Sequence, residues 1–417
     1  MTLDPVHVDG IARLAGQIEQ GVDEQDHRDF AETVWQEFLD PLVVDGRAVL
    51  EPVDEQRRRK VDTQDAALQA TPFPTQHGLD SGTINPTTFK NGVVLDVAQA
   101  AMSAVPSDLE LHRGRTIVMT AHSNDATASL TEDWRMDDQG YARQRVLQTP
   151  RVDRYEQDVV HALALYLAES EHALEQAAVV DDLLVLDGPI YPTGLLQWAD
   201  HDPELAELLV KEDVLAVVEN YVTLVETFLD RDVPLIGFVK STGSKALSRA
   251  VRKSRGQAPW ANDAAFFEKL LARRDDDGEL LTDALTCTNW FRSRLGTDRP
   301  LSTDGDALGI DRERDPAAYE VTFFVVYDPR EDVLYRVEAP YGVTRDAETR
   351  DAITRQVLAD VAAERGPPLS VAKADELARI GRDEKAALRE KIESQLDSDR
   401  QREYNDVRWG ADFEEFG

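Results

Sequence analysis

The sequence predicts a mixed α/β sheet flanked by helices, and three observations carry that prediction. The runs Leu183–Leu186 and Val233–Val239 are almost continuously apolar and end in Asp187 and Lys240, the pattern of strands buried on both faces. Between and around them lie amphipathic segments of helical period. Hairpin signals complete the pattern: Asn91-Gly92 before the apolar run Val93–Val97, and Tyr319–Tyr327 joined to Val333–Glu338 across Asp328-Pro329-Arg330. Strands alternating with helices, with hairpins added, make a sheet of mixed direction.

Taken in order, residues 1–70 read as a helical N-terminal extension, because Ile11, Leu14, Ile18 and then Phe30, Val34, Phe38 recur at helical spacing. The run Arg57-Arg58-Arg59-Lys60 inside it reads as a solvated helix face or as a phosphate contact. Residues 71–395 form the sheet domain. Its first strand is expected to end near Asp80, before Ser81-Gly82, and Thr116–His122 is a further strand. A long helix follows from about Tyr155 to Ala178, with Val160, Leu163, Leu167 and Leu174 on one stripe. Helices around Glu204–Leu209 and Val214–Leu229 lead to the strand ending at Lys240. A charged helical insertion is expected around residues 245–300, helices over Thr349–Arg365 and Ser370–Ser394, and a polar, frayed tail over residues 396–417 apart from Trp409 and Phe413.

Composition narrows the function classes. The chain has 417 residues, 80 acidic and 46 basic, for a formal net charge of -34. The acids are spread along the whole length rather than gathered in a tail, which fits the solvated surface of a protein working in molar salt. There the Debye length falls to roughly 3 Å, so acidity does not exclude a nucleic-acid substrate. A protein that repels nucleic acid and binds basic partners is the competing reading. Cys287 is the single cysteine, which excludes an intrachain disulfide and a cysteine-rich zinc site. No apolar run approaches the ~20 residues that span a bilayer. Met1–Gly10 lacks a basic leader segment, so a soluble cytoplasmic protein is expected. P-loop, Rossmann, GxSxG and His/Cys metal spacings do not occur.

The informative acids are Asp80 and Asp187, each at an expected strand end beside a glycine turn. If the two strands are neighbours, their carboxylates share one sheet edge, repel, and call for a cation such as Mg²⁺ or Mn²⁺. Two such ions can activate water and stabilise a leaving oxygen in phosphodiester hydrolysis. Each Asp can equally be a turn or capping residue. A third acid comes from the long helix: Glu171 lies on the apolar stripe, and a buried acid is costly unless paired or metal-bound. Glu169 and Glu156 stay open as alternatives within the uncertainty of helix pitch. Lys240 can hold a scissile phosphate or simply end an exposed strand. Arg249, Arg252, Lys253 and Arg255 form one of the densest basic clusters, either a DNA backbone track or a solvated helix face.

These residues resemble the NurA family of archaeal DNA-end-processing nucleases. Leu79-Asp80-Ser81-Gly82-Thr83 resembles the family's Asp-Gly-Ser motif with Ser and Gly exchanged, followed by Phe89-Lys-Asn-Gly92 and Val97–Ala100. Leu186-Asp187-Gly188-Pro189-Ile190 resembles its Leu-Asp-Gly-Ser-Leu strand end. Gly237–Ser241 resembles the strand ending in Lys, and Tyr335–Pro340 the late Arg-x-Glu-x-Pro strand. The resemblance spans about Gly78 to Glu384. It implies an RNase H-like fold, a haloarchaeal member, and a manganese-dependent 5′-to-3′ exonuclease with some single-strand endonuclease activity. It also implies a homodimer seated on the hexameric HerA translocase, acting in end resection for double-strand break repair. Asp80 and Asp187 would be metal ligands, with Glu171 or Glu169 as the helix acid. Asp375 stands where the family places a His after Gly366-Pro367-Pro368. A carboxylate also ligates Mn²⁺, but the exchange leaves room for a weakened, HerA-docking, DNA-guiding subunit as the alternative.

Overall fold

The computed structural model describes residues 5–19, 24–123, 133–148, 154–196, 212–240, 243–301 and 309–402. The expected helix around Glu204–Leu209 and the tail residues Trp409 and Phe413 lie outside the described residues. Among the described residues, helices Pro5–Glu19 and Glu24–Phe38 come first, and fourteen strands join in one mixed sheet.

The N-terminal strands are β1 (Leu42–Val44), β2 (Arg47–Pro52) and β3 (Arg58–Asp62). The next five are β4 (Gln76–Thr88), β5 (Val93–Val105), β6 (Arg115–Ser123), β7 (Arg135–Met136) and β8 (Ala142–Gln148). Beyond the long helix come β9 (Leu184–Asp187), β10 (Leu235–Val239), β11 (Ala284–Thr288) and β12 (Phe291–Ser293). The hairpin of β13 (Val321–Asp328) and β14 (Val333–Pro340) completes the sheet.

The central five strands stand in the order β6-β5-β4-β9-β10. The first three form an antiparallel meander, and β9 and β10 run parallel to β4. Counted along the chain this is 3-2-1-4-5, the arrangement of an RNase H-like sheet. The hairpin β13–β14 extends it beyond β10, and β8 and β7 extend it beyond β6.

Alternation along β9 explains why its sequence is continuously apolar. Leu184 and Leu186 pack with Leu79 against the helices Arg154–Gln176 and Glu212–Asp230. Leu183 and Val185 point the other way, into the cluster formed with Ile353, Val357 and Val371 of the C-terminal helices. Each such side chain contributes about 1.5–3 kcal/mol relative to exposure. Among the described residues no helix is long and apolar enough to cross a membrane.

Several expectations are corrected. Residues 42–62 are strands rather than helix, because Asp45 (φ 52) and Gly46 (φ 78) supply the two left-handed positions of a tight hairpin turn. The basic run of residues 57–60 therefore lies at and before edge strand β3. The segment 245–300 holds helices Ala246–Arg255 and Asp263–Leu271 and then returns to the sheet as β11 and β12. The expected helix from Ser370 to Ser394 is two, Leu369–Ala378 and Arg382–Leu396, separated by residues 379–381. The tail begins ordered: Gln401 N–H donates to Thr88 O at 2.7 Å and Lys90 N–H to Asp399 O at 2.9 Å.

The strand β4 does not end near Asp80 but continues to Thr88, its polar second half paired to β5. Two glycines flank Asp80 on the same face by the period of two. A Cβ on Gly82 would stand 2.1 Å from Ala378 O, and one on Gly78 2.3 Å from Ser370 C and O. The helix Leu369–Ala378 thus lies backbone-to-backbone on β4, directly over Asp80. Replacing Gly82 by Ala must push that helix away. We expect a loss of about 1–3 kcal/mol or more in a chemical denaturation experiment. Gly46→Ala, where open space surrounds the residue, should cost only its turn strain.

Candidate metal centre

The parallel pairing of β4 with β9 sets Leu79 opposite Leu186, so the next residues, Asp80 and Asp187, end up side by side. After Asp187, Gly188 turns the chain at φ 140 and β9 stops, whereas β4 runs on. The sheet therefore has a step, and both carboxylates sit at it. On the far side of β9, β10 aligns Phe238 with Asp187. That register delivers Lys240, whose Nζ donates to Asp187 Oδ2 at 2.5 Å.

The long helix supplies a third acid, and it is Glu169 that meets the step. Ser81 lies next to Asp80 but on the opposite face of β4, and its Oγ donates to Glu169 Oε1 at 2.6 Å. Tyr221 OH donates to Glu169 Oε2 at 3.2 Å. Glu171 instead pairs with Arg143 at 3.0 Å and accepts from Asn220 at 3.2 Å. Helical period alone did not separate the two because this helix is buried on two sides. Ala164 and Ala168 are as buried as Leu163 and Leu167, so its apolar stripe faces a helix as well as the sheet. The side chain of Glu156 lies outside the described residues. Asp375 is exposed on the helix over β4, and its charge reaches Asp187.

The electrostatics follow from this crowding. Burial, and then the charges of Asp187 and Glu169, push the Asp80 carboxyl up to about 9. Burial raises Glu169 to about 7 against the opposing hydrogen bonds from Ser81 and Tyr221. Asp187 is also raised by burial, while Lys240 and a hydrogen bond with Asp80 hold it down. Among the described residues no three His, Cys, Asp or Glu side chains converge closely enough to ligate one ion as they stand. The acids already have partners: the Lys240 ammonium on Asp187, the Ser81 and Tyr221 hydroxyls on Glu169, and for Asp80 a burial that favours its protonated form. These three carboxylates are an all-oxygen donor set of the kind that would suit a hard divalent cation such as Mg²⁺ or Mn²⁺.

The basic cluster divides. Arg249 and Lys245 line a groove of about 650 Å³ that begins at Pro189 and Val239, next to the carboxylates. Arg252 bonds Ala258 O at 3.3 Å, Lys253 pairs with Asp45, and Arg255 covers the Phe38 ring, and all three are exposed away from this groove. The cause is the helix's amphipathicity: burying Leu247, Ala250 and Val251 turns Arg249 alone towards the groove. Ser81, Tyr221 and Lys245 were not foreseen as site residues. The alternation of β4 marks Ser81, but nothing local in the sequence marks Tyr221.

The NurA domain family matches residues 74–380 of this chain. Among solved structures, the NurA nuclease from Sulfolobus solfataricus is similar at 12% identity and a TM-score of 0.47, covering 95% of this chain and 98% of that one. A NurA bound to dAMP and manganese is similar at 11% identity and a TM-score of 0.44, covering 81% and 90%. Endonuclease V from Ciona intestinalis follows at 10% identity and a TM-score of 0.26, covering 78% and 93%. No curated protein matches the chain.

The raised carboxyls make metal-free stability depend on pH. The folded chain binds more protons than the unfolded one from the ordinary carboxylate range up to about 9 for Asp80 and about 7 for Glu169. That contribution is fully present at low pH and is lost as pH rises through this window. In EDTA the thermal midpoint should therefore fall between about pH 6 and pH 9, less steeply for Asp80→Asn than for the parent chain. Asp80→Asn should also melt higher than the parent at the alkaline end. Parallel curves for the two proteins would refute the account.

Proposed function

Since the chain belongs to the NurA domain family, whose match spans residues 74–380, we propose that it is a divalent-metal-dependent deoxyribonuclease that hydrolyses phosphodiester bonds at DNA ends. The observation that carries this reading is the step in the sheet, where Asp80 and Asp187 stand side by side with Glu169 behind them. Asp80, Asp187 and Glu169 would hold Mn²⁺ or Mg²⁺, with Asp375 at the rim. The metal, when bound, supplies Lewis-acid stabilisation of the phosphoryl oxygens and a water of lowered pKa.

The chain's own residues do the rest. Ser81 and Tyr221 fix both oxygens of Glu169, so its carboxylate is oriented before any ligand arrives. Lys240, two positions past the residue aligned with Asp187, donates from the edge of the site and suits a non-bridging phosphate oxygen. Lys245 and Arg249 neutralise the next phosphates along the groove. A 5′-to-3′ polarity, some single-strand endonuclease activity, a homodimer, a cytoplasmic HerA-type translocase partner and a role in double-strand break repair are carried into the reading from the family resemblance. The alternative, a subunit that guides DNA without cutting it, rests on Asp375 in place of His and would show as DNA binding without cleavage.

Digestion of linear duplex DNA with Mn²⁺ or Mg²⁺ in molar KCl tests the proposal. Asp80→Ala, Asp187→Ala and Glu169→Gln should each lose roughly 100-fold or more of the rate. Full activity in either Asp variant removes the assignment. Tyr221→Phe keeps the ring and loses only the hydroxyl. It should weaken apparent metal affinity by roughly 10–100-fold, read by Mn²⁺ titration of the purified protein.

A further inference from the structure

Strand β14 carries Arg336 and Glu338, two largely buried charges that the metal centre leaves unused. The sheet registers show where Glu338 points. Gly237 on β10 is aligned with Leu186 of β9 on one side and with Glu338 of β14 on the other. The turn that follows Asp187 folds back across Gly237, where a Cβ would stand 2.6 Å from Gly188 O and 2.7 Å from Ile190 N. The missing side chain lets the turn cross β10 and reach the next strand. There the Ile190 N–H donates to Glu338 Oε2 at 3.1 Å.

A carboxylate buried at this place is costly, and its surroundings show how it is held. Glu338 is 4% exposed, and its other oxygen lies 2.6 Å from Arg336 Nε. Arg336 donates from Nη2 to Asp298 at 3.0 Å and stacks on the Phe323 ring. Burial pushes the Glu338 carboxyl up, and the Arg336 guanidinium opposes that shift. An apolar residue would fill the space without this penalty, but it would leave the buried Ile190 N–H without an acceptor.

The turn matters because Asp187 is the last residue of β9. Up to Asp187 the backbone is aligned with β10. Beyond it, Gly188 N–H donates to Phe238 O at 3.1 Å, Pro189 has no N–H to give, and Ile190 N–H goes to Glu338. We propose that Glu338 is a positioning residue for Asp187: by holding the Ile190 N–H it fixes this turn and thereby the aim of the Asp187 carboxylate towards a divalent cation. The role rests on the reading of Asp187 as a metal ligand.

Mn²⁺ is titrated calorimetrically into the full-length parent, Glu338→Gln and Glu338→Leu, each first checked for a cooperative thermal transition. Gln keeps a side-chain carbonyl for the Ile190 N–H, whereas Leu keeps the bulk and removes the acceptor. Glu338→Leu should bind Mn²⁺ roughly 10–100-fold more weakly, and Glu338→Gln should stay within about threefold of the parent. Cleavage of linear duplex DNA by Glu338→Leu should need more Mn²⁺ and approach the parent's rate at saturation. In EDTA, hydrogen exchange across residues 187–191 should quicken at least ~10-fold in Glu338→Leu alone. Should Glu338→Leu not fold, Gly237→Ala takes its place, since its methyl displaces the same turn with Glu338 intact. Parent-like Mn²⁺ affinity in Glu338→Leu, equal losses in the Leu and Gln variants, or unchanged exchange overturns the role. A parent that binds no Mn²⁺ overturns this role and the nuclease reading together. If the parent binds and cleaves while Glu338→Leu matches it, only the role of Glu338 falls.

Discussion

The structure depends on one costly juxtaposition: two aspartates held side by side, mostly buried, at the point where one strand stops and its neighbour continues. The parallel register of β4 on β9 enforces it, because the alignment that buries Leu79 and Leu186 in one cluster leaves no freedom for the residues that follow. Slipping the strand by one residue would turn every core leucine to the wrong face. The carboxylate repulsion is therefore sustained by the hydrophobic core. Its resting answer is the Lys240 ammonium on Asp187, the hydroxyls on Glu169, and an Asp80 carboxyl whose burial favours its protonated form. A site already arranged around positive partners is poised to exchange them for a metal ion.

Much of this was legible in the sequence, and what was not has physical causes. The two-face burial of β9 and β10, the long helix and the hairpin β13–β14 declare themselves through composition and period. Asp187 and Lys240 could be singled out because each follows such a run, and Asp80 because Ser81-Gly82 beside it reads as a turn, although its strand runs on to Thr88. The choice between Glu169 and Glu171 could not be made by period, since a helix packed on two sides has no single polar face to subtract. Tyr221 is invisible locally: it comes from a helix 52 residues beyond Glu169 and meets it only through the tertiary fold. The N-terminal strands were misread as helix because Phe30, Val34 and Phe38 set a helical rhythm that the Asp45-Gly46 turn interrupts.

Charge is distributed with purpose around the carboxylates. A net charge of -34 opposes any polyanion, yet Lys245 and Arg249 line one groove whose walls include Pro189 and Val239, close in sequence to Asp187 and Lys240. Their neighbours Arg252, Lys253 and Arg255 are exposed and contact Ala258 O, Asp45 and the Phe38 ring away from that groove. Sequence density and usable charge are different quantities, and only packing converts one to the other.

The glycine pair on β4 also decides what the helix above it is free to carry. Where main chain rests on main chain, the geometry above Asp80 is set by peptide atoms and not by any rotamer. The outward side chains of the overlying helix are thereby released from architectural duty. A substitution at its outward positions changes the charge above the step while the scaffold beneath keeps its dimensions.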